Sequence, residues 1–328
     1  MEWLALEFMQ RALLAAVITG LTAPAIGTYL VQRRLSLLGD GLGHLAVAGV
    51  GLAFLTGTAP LPVAVVVCMV GAIVIELLRE LGRTSGDVGL AILFYGGLSG
   101  GLLLASLAGQ GTGTLSAFLF GSLLTINATE LWIIAGLGAV VLLVCLGLLP
   151  QLFAVSADEP FARTIGLPVR VYNILIVALA AVTVTVSMRT VGLLLVSALM
   201  VVPVATANHL VIGFRRSMIT AMLVGVVAAV SGTIGSYQFD TAPGALIVVI
   251  AIGMFALSWP ASLLLTRRYA PPVELTDNQP PRSHELTEEH PHVHSETCGH
   301  PAVPHGGHVD YIHDGHRHAA HEGHYDEH

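Results

Sequence analysis

Lysine is absent from all 328 residues. With it goes any G-x-x-x-x-G-K-[ST] loop, because that loop needs a Lys ammonium at the nucleotide phosphates. If ATP drives this protein, another polypeptide must hydrolyse it. Cysteine is nearly absent: Cys68 and Cys145 lie in apolar runs and Cys298 in a polar tail, which is no framework for disulfides. Charge is scarce as well, at 11% of residues against 54% hydrophobic, the reverse of what a water-facing surface requires. Such a chain needs lipid as its solvent. No nucleic-acid partner is expected.

The few charges are unevenly placed. Residues 1–270 carry 12 Arg and 10 acids, whereas residues 271–328 carry 2 Arg, 11 acids and 13 of the 15 His. Two physically different segments therefore meet near Ala270, a membrane domain over 1–268 and a tail over 269–328. The first apolar run is too long for the core of a signal peptide, its leader MEWLALE is acidic, and it ends at Arg33-Arg34, so an uncleaved first span is expected.

A membrane span takes roughly 20 apolar residues at about 1.5 Å rise each. Nine stretches qualify, near 8–32, 38–57, 60–78, 88–108, 128–149, 170–188, 190–210, 216–236 and 242–265, or eight if two short ones form one broken helix. The expectation is an all-α polytopic protein. Arg33/Arg34, Arg79/Arg83, Arg163/Arg170, Arg215/Arg216 and Arg267/Arg268 fall on alternate ends of consecutive spans, which puts the N-terminus outside and the C-terminus in the cytoplasm. Arg11 and Arg189 are exceptions. Residues 112–127 are apolar but short, as in an interfacial or re-entrant helix. The run Tyr95-Gly96-Gly97-Leu98-Ser99-Gly100-Gly101 suits close backbone approach between membrane helices. After Arg268 the chain is rich in Pro, His, Glu and Gly, and it lacks the apolar surface to offset chain entropy, so it should be disordered without metal.

At the start of the second span stands Asp40-Gly41-Leu42-Gly43-His44, whose spacing of four puts carboxylate and imidazole on one helix face. Both are good ligands for divalent cations, and ionisable groups inside a span mark functional sites. The same residues could instead be an N-cap and a packed interior histidine.

The run Arg11-Ala12-Leu13-Leu14, then Gly27 to Asp40, then His44 and Gly49, resembles the opening of the zinc/manganese permease family of bacterial ABC importers. Two further stretches are similar to the family. Ser156-Ala157-Asp158-Glu159-Pro160-Phe161-Ala162-Arg163-Thr164-Ile165-Gly166-Leu167-Pro168 resembles the loop that couples such a permease to its ATPase, and Val191 to Pro203 with Ala205-Thr206-Ala207 is the third match. The resemblance covers about Phe8 to Leu265 and implies a type II ABC importer-like permease fold. It also implies a metal path lined by Asp40 and His44. His209, near the inner end of a later span, lies outside what the resemblance implies and is either an exit ligand or an interfacial histidine. Coupling is implied at Asp158, Glu159, Ala162 and Gly166, the two small residues letting a short helix seat in the partner.

The implied partners are a second copy of the chain, two ATPase subunits, an extracytoplasmic metal-binding protein and membrane lipid. No cofactor is expected to stay bound. The cargo implied is zinc, with manganese next, in the bacterial inner membrane. A chelate permease of the siderophore or haem type and a proton-coupled metal exporter are the alternatives. The tail lies outside the resemblance, but His292, His294, Cys298, His300, His305, His308, His313, His316 and His318 repeat metal-ligand spacings between acids, which suits zinc.

Overall fold

The computed structural model describes residues 6–81, 86–109, 112–122, 126–193, 195–269, 285–287, 299–305, 308–313, 316–321 and 324–327. They fall into two compact units, Met1–Arg267 and Arg268–His328. The first unit holds α1 (Glu7–Gln32), α2 (Leu38–Thr56), α3 (Pro60–Glu80), α4 (Gly86–Leu107), α5 (Thr112–Phe120), α6 (Ala128–Gly147), α7 (Leu149–Ala157), α8 (Glu159–Thr164), α9 (Val169–Ser187), α10 (Val196–Leu210), α11 (Phe214–Phe239) and α12 (Pro243–Tyr269). Eight of these helices, α1–α4, α6, α9, α11 and α12, are long and apolar enough to cross a membrane.

The expected ninth span at 190–210 is not a full helix. Only α10 forms there, and 15 residues reach about 22 Å at ~1.5 Å each, short of a ~30 Å hydrocarbon core. The chain before it is pinned in a non-helical path. Gly192 has φ +86° and lies against the backbone of Leu119 and Phe120, where a Cβ would meet atoms at 2.4 Å. Leu193 N donates to the Phe118 carbonyl at 3.0 Å, and Ser122 N to that of Arg189 at 3.1 Å. The end of α5 thus satisfies backbone groups that the break in the helix frees, which is the condition for irregular backbone at membrane depth.

α1 is the central helix. Its middle is small and apolar, with Ala15, Ala16, Ala23, Ala25, Ile26 and Tyr29 all fully buried, as befits a helix that is apolar on every side. The glycine-rich run acts at two of its positions. A Cβ at Gly97 would meet the Leu45 nitrogen at 2.6 Å and one at Gly101 the Val47 carbonyl carbon at 2.5 Å, whereas Gly96 and Gly100 face open space. Gly97 and Gly101, four apart, let α4 lie against the backbone of α2.

The two arginines that break the charge alternation are each neutralised. Arg11 pairs with Glu7 at 2.5 Å, and Arg189 pairs with Glu130 while its guanidinium lies 4.6 Å over the Phe118 ring.

The second unit is the tail. Its described residues form β1 (Glu285–Thr287), β2 (Ala302–His305), β3 (His308–His313), β4 (His316–His321) and β5 (His324–Glu327) in one antiparallel sheet, ordered β1-β5-β4-β3-β2.

Candidate functional site

Asp40 and His44 lie one turn apart in α2, and the structure separates their two readings. Helix α2 begins at Leu38 with Leu37 as its cap residue, and no side chain caps it, so Asp40 is not an N-cap. Its carboxylate instead accepts a hydrogen bond from Ser197 Oγ of α10 at 3.1 Å. His44 is buried, with Nδ1 2.8 Å from the Asp40 carbonyl oxygen. A carbonyl can only accept, so Nδ1 carries the proton and, in the neutral ring, the lone pair sits on Nε2. That is the tautomer of a metal-ligating imidazole held by a backbone acceptor. The ring lies against Phe94 of α4, centroids 3.8 Å apart.

Glycines set this geometry. A Cβ at Gly43 would meet the Leu193 carbonyl oxygen at 2.5 Å, so the non-helical stretch before α10 passes directly beside the His44 turn. Gly97 brings α4 and its Phe94 to the other side. Two helices, one broken segment and the head of α10 therefore converge on a carboxylate and an imidazole. Ser197 and Phe94 were missed in the sequence. Ser197 stands inside the third matching stretch, but its meeting with a residue 157 positions away leaves no local signal.

His209 is not brought to this pair. It lies in the last turn of α10, about 18 Å along the helix from Ser197 at ~1.5 Å per residue. Its Nδ1 is 3.1 Å from Ser258 Oγ of α12 and its ring rests on Phe255.

The loop resembling a coupling segment forms α8. Asp158 caps it, Oδ1 accepting from Phe161 N at 2.9 Å, and Glu159 pairs with Arg163 at 2.8 Å. The two small residues stand in different surroundings, Ala162 inside and Gly166 at the surface. Ala162 is fully buried against Val155 and Val169 of its own chain. Gly166 has φ +84°; its N–H donates to the Arg163 carbonyl and that of Leu167 to the Ala162 carbonyl, both at 3.1 Å. This paired pattern ends a helix through a left-handed residue, so glycine is needed for termination. The apolar groups that α8 exposes are Phe161 and Ile165, each more than half exposed. Their spacing of four within a polar loop was the overlooked signal.

Beside α8 opens a cavity of about 590 Å³ lined by Arg33, Arg34, Glu76, Arg79, Glu80 and Arg163, among others. Glu76 accepts from Arg79 at 2.7 Å and lies 3.5 Å from Arg33; Arg33 and Glu76 are both only 6% exposed. Burial lowers the Arg33 pKa from its ordinary value, opposed by the attraction of Glu76. Arg33 Nη1, Ser156 Oγ and Asn173 Oδ1, all in residues lining the cavity, are buried without hydrogen-bond partners among the described residues.

In the tail, His292, His294 and Cys298 lie outside the described residues. His305, His308, His313, His316 and His318 stand on strands, and His300 precedes β2. Among the described residues, no group of three or more His, Cys, Asp or Glu is already gathered to hold an ion.

Comparison with known proteins fits this arrangement. The sequence model of the ABC 3 transport family matches residues 5–261. The manganese transport system membrane protein MntC of Halalkalibacterium halodurans is 31% identical over 270 residues, covering 81% of this chain and 92% of its own. The chelated iron transport system membrane protein YfeD of Yersinia pestis is 35% identical, covering 78% and 86%. Among solved structures, PsaBC from Streptococcus pneumoniae in complex with Fab superposes with a TM-score of 0.73 at 29% identity, over 81% of this chain and 97% of that one.

Proposed function

Because this chain belongs to the ABC 3 transport family, whose members form the membrane permeases of ABC importers, we propose that it passes bare first-row divalent cations, zinc ahead of manganese, between Asp40 and His44 of two copies of itself. It is a transport permease and not an enzyme, and ATP hydrolysis belongs to a separate subunit. The observation that carries the reading is the Asp40–His44–Ser197 constellation: a carboxylate held by a hydroxyl, and beside it a buried imidazole with its lone pair on Nε2. Two copies would supply two carboxylates and two imidazoles, enough to replace hydration yet weak enough in a mobile dimer to release the ion. Imidazole favours zinc, since Mn²⁺ stands lowest in the affinity order, although relatives such as MntC are named for manganese.

The remaining parts follow from the family. Two ATPase subunits dock on α8 beside the Arg33–Glu76 cavity, whose unpartnered groups and exposed Phe161 and Ile165 suit a protein surface. An extracytoplasmic protein delivers the ion, and the protein resides in the bacterial inner membrane. The tail is cytoplasmic and binds zinc through its histidines, and His209 is an exit candidate at most. ATP as the energy source displaces the proton-coupled exporter. A chelate cargo remains the second reading, favoured by the 35% identity to YfeD.

The test is radioactive zinc and manganese uptake by Asp40→Asn and His44→Ala. Each should lose most transport while remaining in the membrane at normal amount. Wild-type uptake by Asp40→Asn would sink the pathway, and uptake that requires a chelator would install the second reading.

A further inference from the structure

The ends of three spans meet at the cavity beside α8. Arg33 and Arg34 follow the last turn of α1, Glu76 and Arg79 stand in the last turns of α3, and Asn173 lies about one turn inside α9. Such helix ends lie where a bilayer passes from hydrocarbon to headgroups.

The guanidiniums exceed what the carboxylates neutralise. Arg163 has Glu159 at 2.8 Å, but a single oxygen of Glu76 serves both Arg79 at 2.7 Å and Arg33 at 3.5 Å. Arg34 is exposed and forms no ion pair among the described residues. Its backbone is a second sign. With φ +59° it takes the left-handed position that ends α1, its N–H donating to the Val31 carbonyl at 3.0 Å and that of Leu35 to the Leu30 carbonyl at 2.8 Å. Glycine fits that position best, so an arginine there keeps its side chain at a cost in backbone strain.

The third sign is interior. Arg33 Nη1 and Ser156 Oγ are donors without an acceptor, and Asn173 Oδ1 is an acceptor without a donor, among the described residues. The Arg33 side chain, Ser156 and Asn173 are each more than nine-tenths buried. Unpaired buried groups are costly, so an occupant that pairs them is favoured. It must offer negative charge to the arginines and a proton to the amide oxygen.

We propose that this cavity binds the phosphodiester of an anionic phospholipid whose headgroup carries hydroxyls, as in phosphatidylglycerol. The phosphate takes the donors of Arg33, Arg34 and Ser156, and a headgroup hydroxyl donates to Asn173 Oδ1. Arginine suits this role because its planar fork meets phosphate oxygens two at a time, and basic pockets between membrane helices recognise lipid headgroups in this way. A carboxylate from the ATPase proposed for α8 is the rival occupant, but it brings no donor for Asn173. Phe161 and Ile165 do not line the cavity, so lipid here and a partner on α8 are compatible. The site is independent of the cargo.

The experiment uses delipidated full-length protein in neutral detergent, titrated with phosphatidylglycerol, phosphatidylcholine or inorganic phosphate. Thermal unfolding reads stabilisation by ligand, and native mass spectrometry counts bound lipid. Phosphatidylglycerol should raise the unfolding temperature of the wild type, and phosphatidylcholine should not. Arg34→Gly relieves the left-handed strain, so without lipid it should unfold no earlier than the wild type. It should nonetheless need at least about tenfold more phosphatidylglycerol for the same rise, as expected when a charged hydrogen bond is lost. Ser156→Ala should weaken the lipid response at unchanged lipid-free stability. An arginine with only a structural role would move the lipid-free reading and leave the lipid response alone. Equal rises with phosphatidylglycerol and phosphatidylcholine, or a wild-type lipid response in Arg34→Gly, overturn the site. Equal protection by inorganic phosphate at the same concentration overturns the lipid source. Loss of ATPase association in Arg34→Gly at an unchanged lipid response gives the cavity to the partner and overturns the proposal.

Discussion

Gly97→Ala offers the sharpest test of how Asp40 and His44 are held. The added Cβ would lie 2.6 Å from the Leu45 nitrogen and 2.7 Å from the His44 carbonyl carbon, all backbone of α2, so no side chain can swing aside. Relieving the contact from 2.6 Å to an ordinary 3.4 Å asks α4 and α2 to part by roughly 0.8 Å, on the face where Phe94 packs on His44. Overpacking costs about 1–3 kcal/mol, against a gain of at most ~1 kcal/mol in helix propensity. The net loss should be about 1–2 kcal/mol, or several degrees in thermal unfolding of the detergent-purified protein at ~2–4 °C per kcal/mol. Gly96→Ala and Gly100→Ala add the same methyl to open space and should be neutral or slightly stabilising. Zinc uptake should fall with Gly97→Ala alone. Equal stability of Gly97→Ala and Gly96→Ala would refute the helix contact.

Other consequences are read in the same preparations. Arg189→Met and Glu130→Gln should each cost about 3–5 kcal/mol, because each strands a buried charge or donor, while the double variant should recover most of the loss in unfolding experiments. Glu76→Gln should destabilise by a similar amount, since it leaves Arg33, 6% exposed, without its counter-charge. Phe161→Ala with Ile165→Ala should weaken ATPase association at unchanged thermal stability, whereas Ala162→Leu should lower both by overpacking the cluster with Val155 and Val169. A chain stopped after Arg268 should still transport zinc into cells, and complete loss of uptake at normal expression would contradict a dispensable tail.

The membrane spans were legible because lipid imposes a long apolar run on each, and because arginines mark alternate ends. Even the two exceptions proved local, Arg11 beside Glu7 and Arg189 beside Glu130, although the second pairing joins residues 59 apart and could not be read from spacing. The Asp40–His44 pair was legible from its helical period. What positions it was not, since Ser197, Phe94 and the break before α10 meet α2 only in three dimensions. In the loop at 156–168 residue type alone did not tell a buried position from an exposed one. Alanine and glycine four apart suggested a partner surface, but burial of Ala162 shapes the loop and positive φ at Gly166 ends its helix.

The proposed docking end and the proposed pathway share one short piece of chain. Arg33, which meets Glu76 beside α8, is the residue that closes α1, and Asp40 lies seven residues further on, in the first turn of α2. The link between them is not slack: Leu35 N donates to the Leu30 carbonyl at 2.8 Å and Leu38 N to that of Leu35 at 3.0 Å. If a partner seats on α8 as proposed, a displacement of the Arg33 cluster would reach the start of α2 through this hydrogen-bonded link. There it meets the Ser197 hydroxyl, which belongs to a different helix. The hydrogen bond from Ser197 to Asp40, worth about 1 kcal/mol net, joins α2 to α10 at that point. Coupling by this route requires only that docking favour one of two positions of α2, with the Asp40 carboxylate held by Ser197 in one and released to an ion in the other.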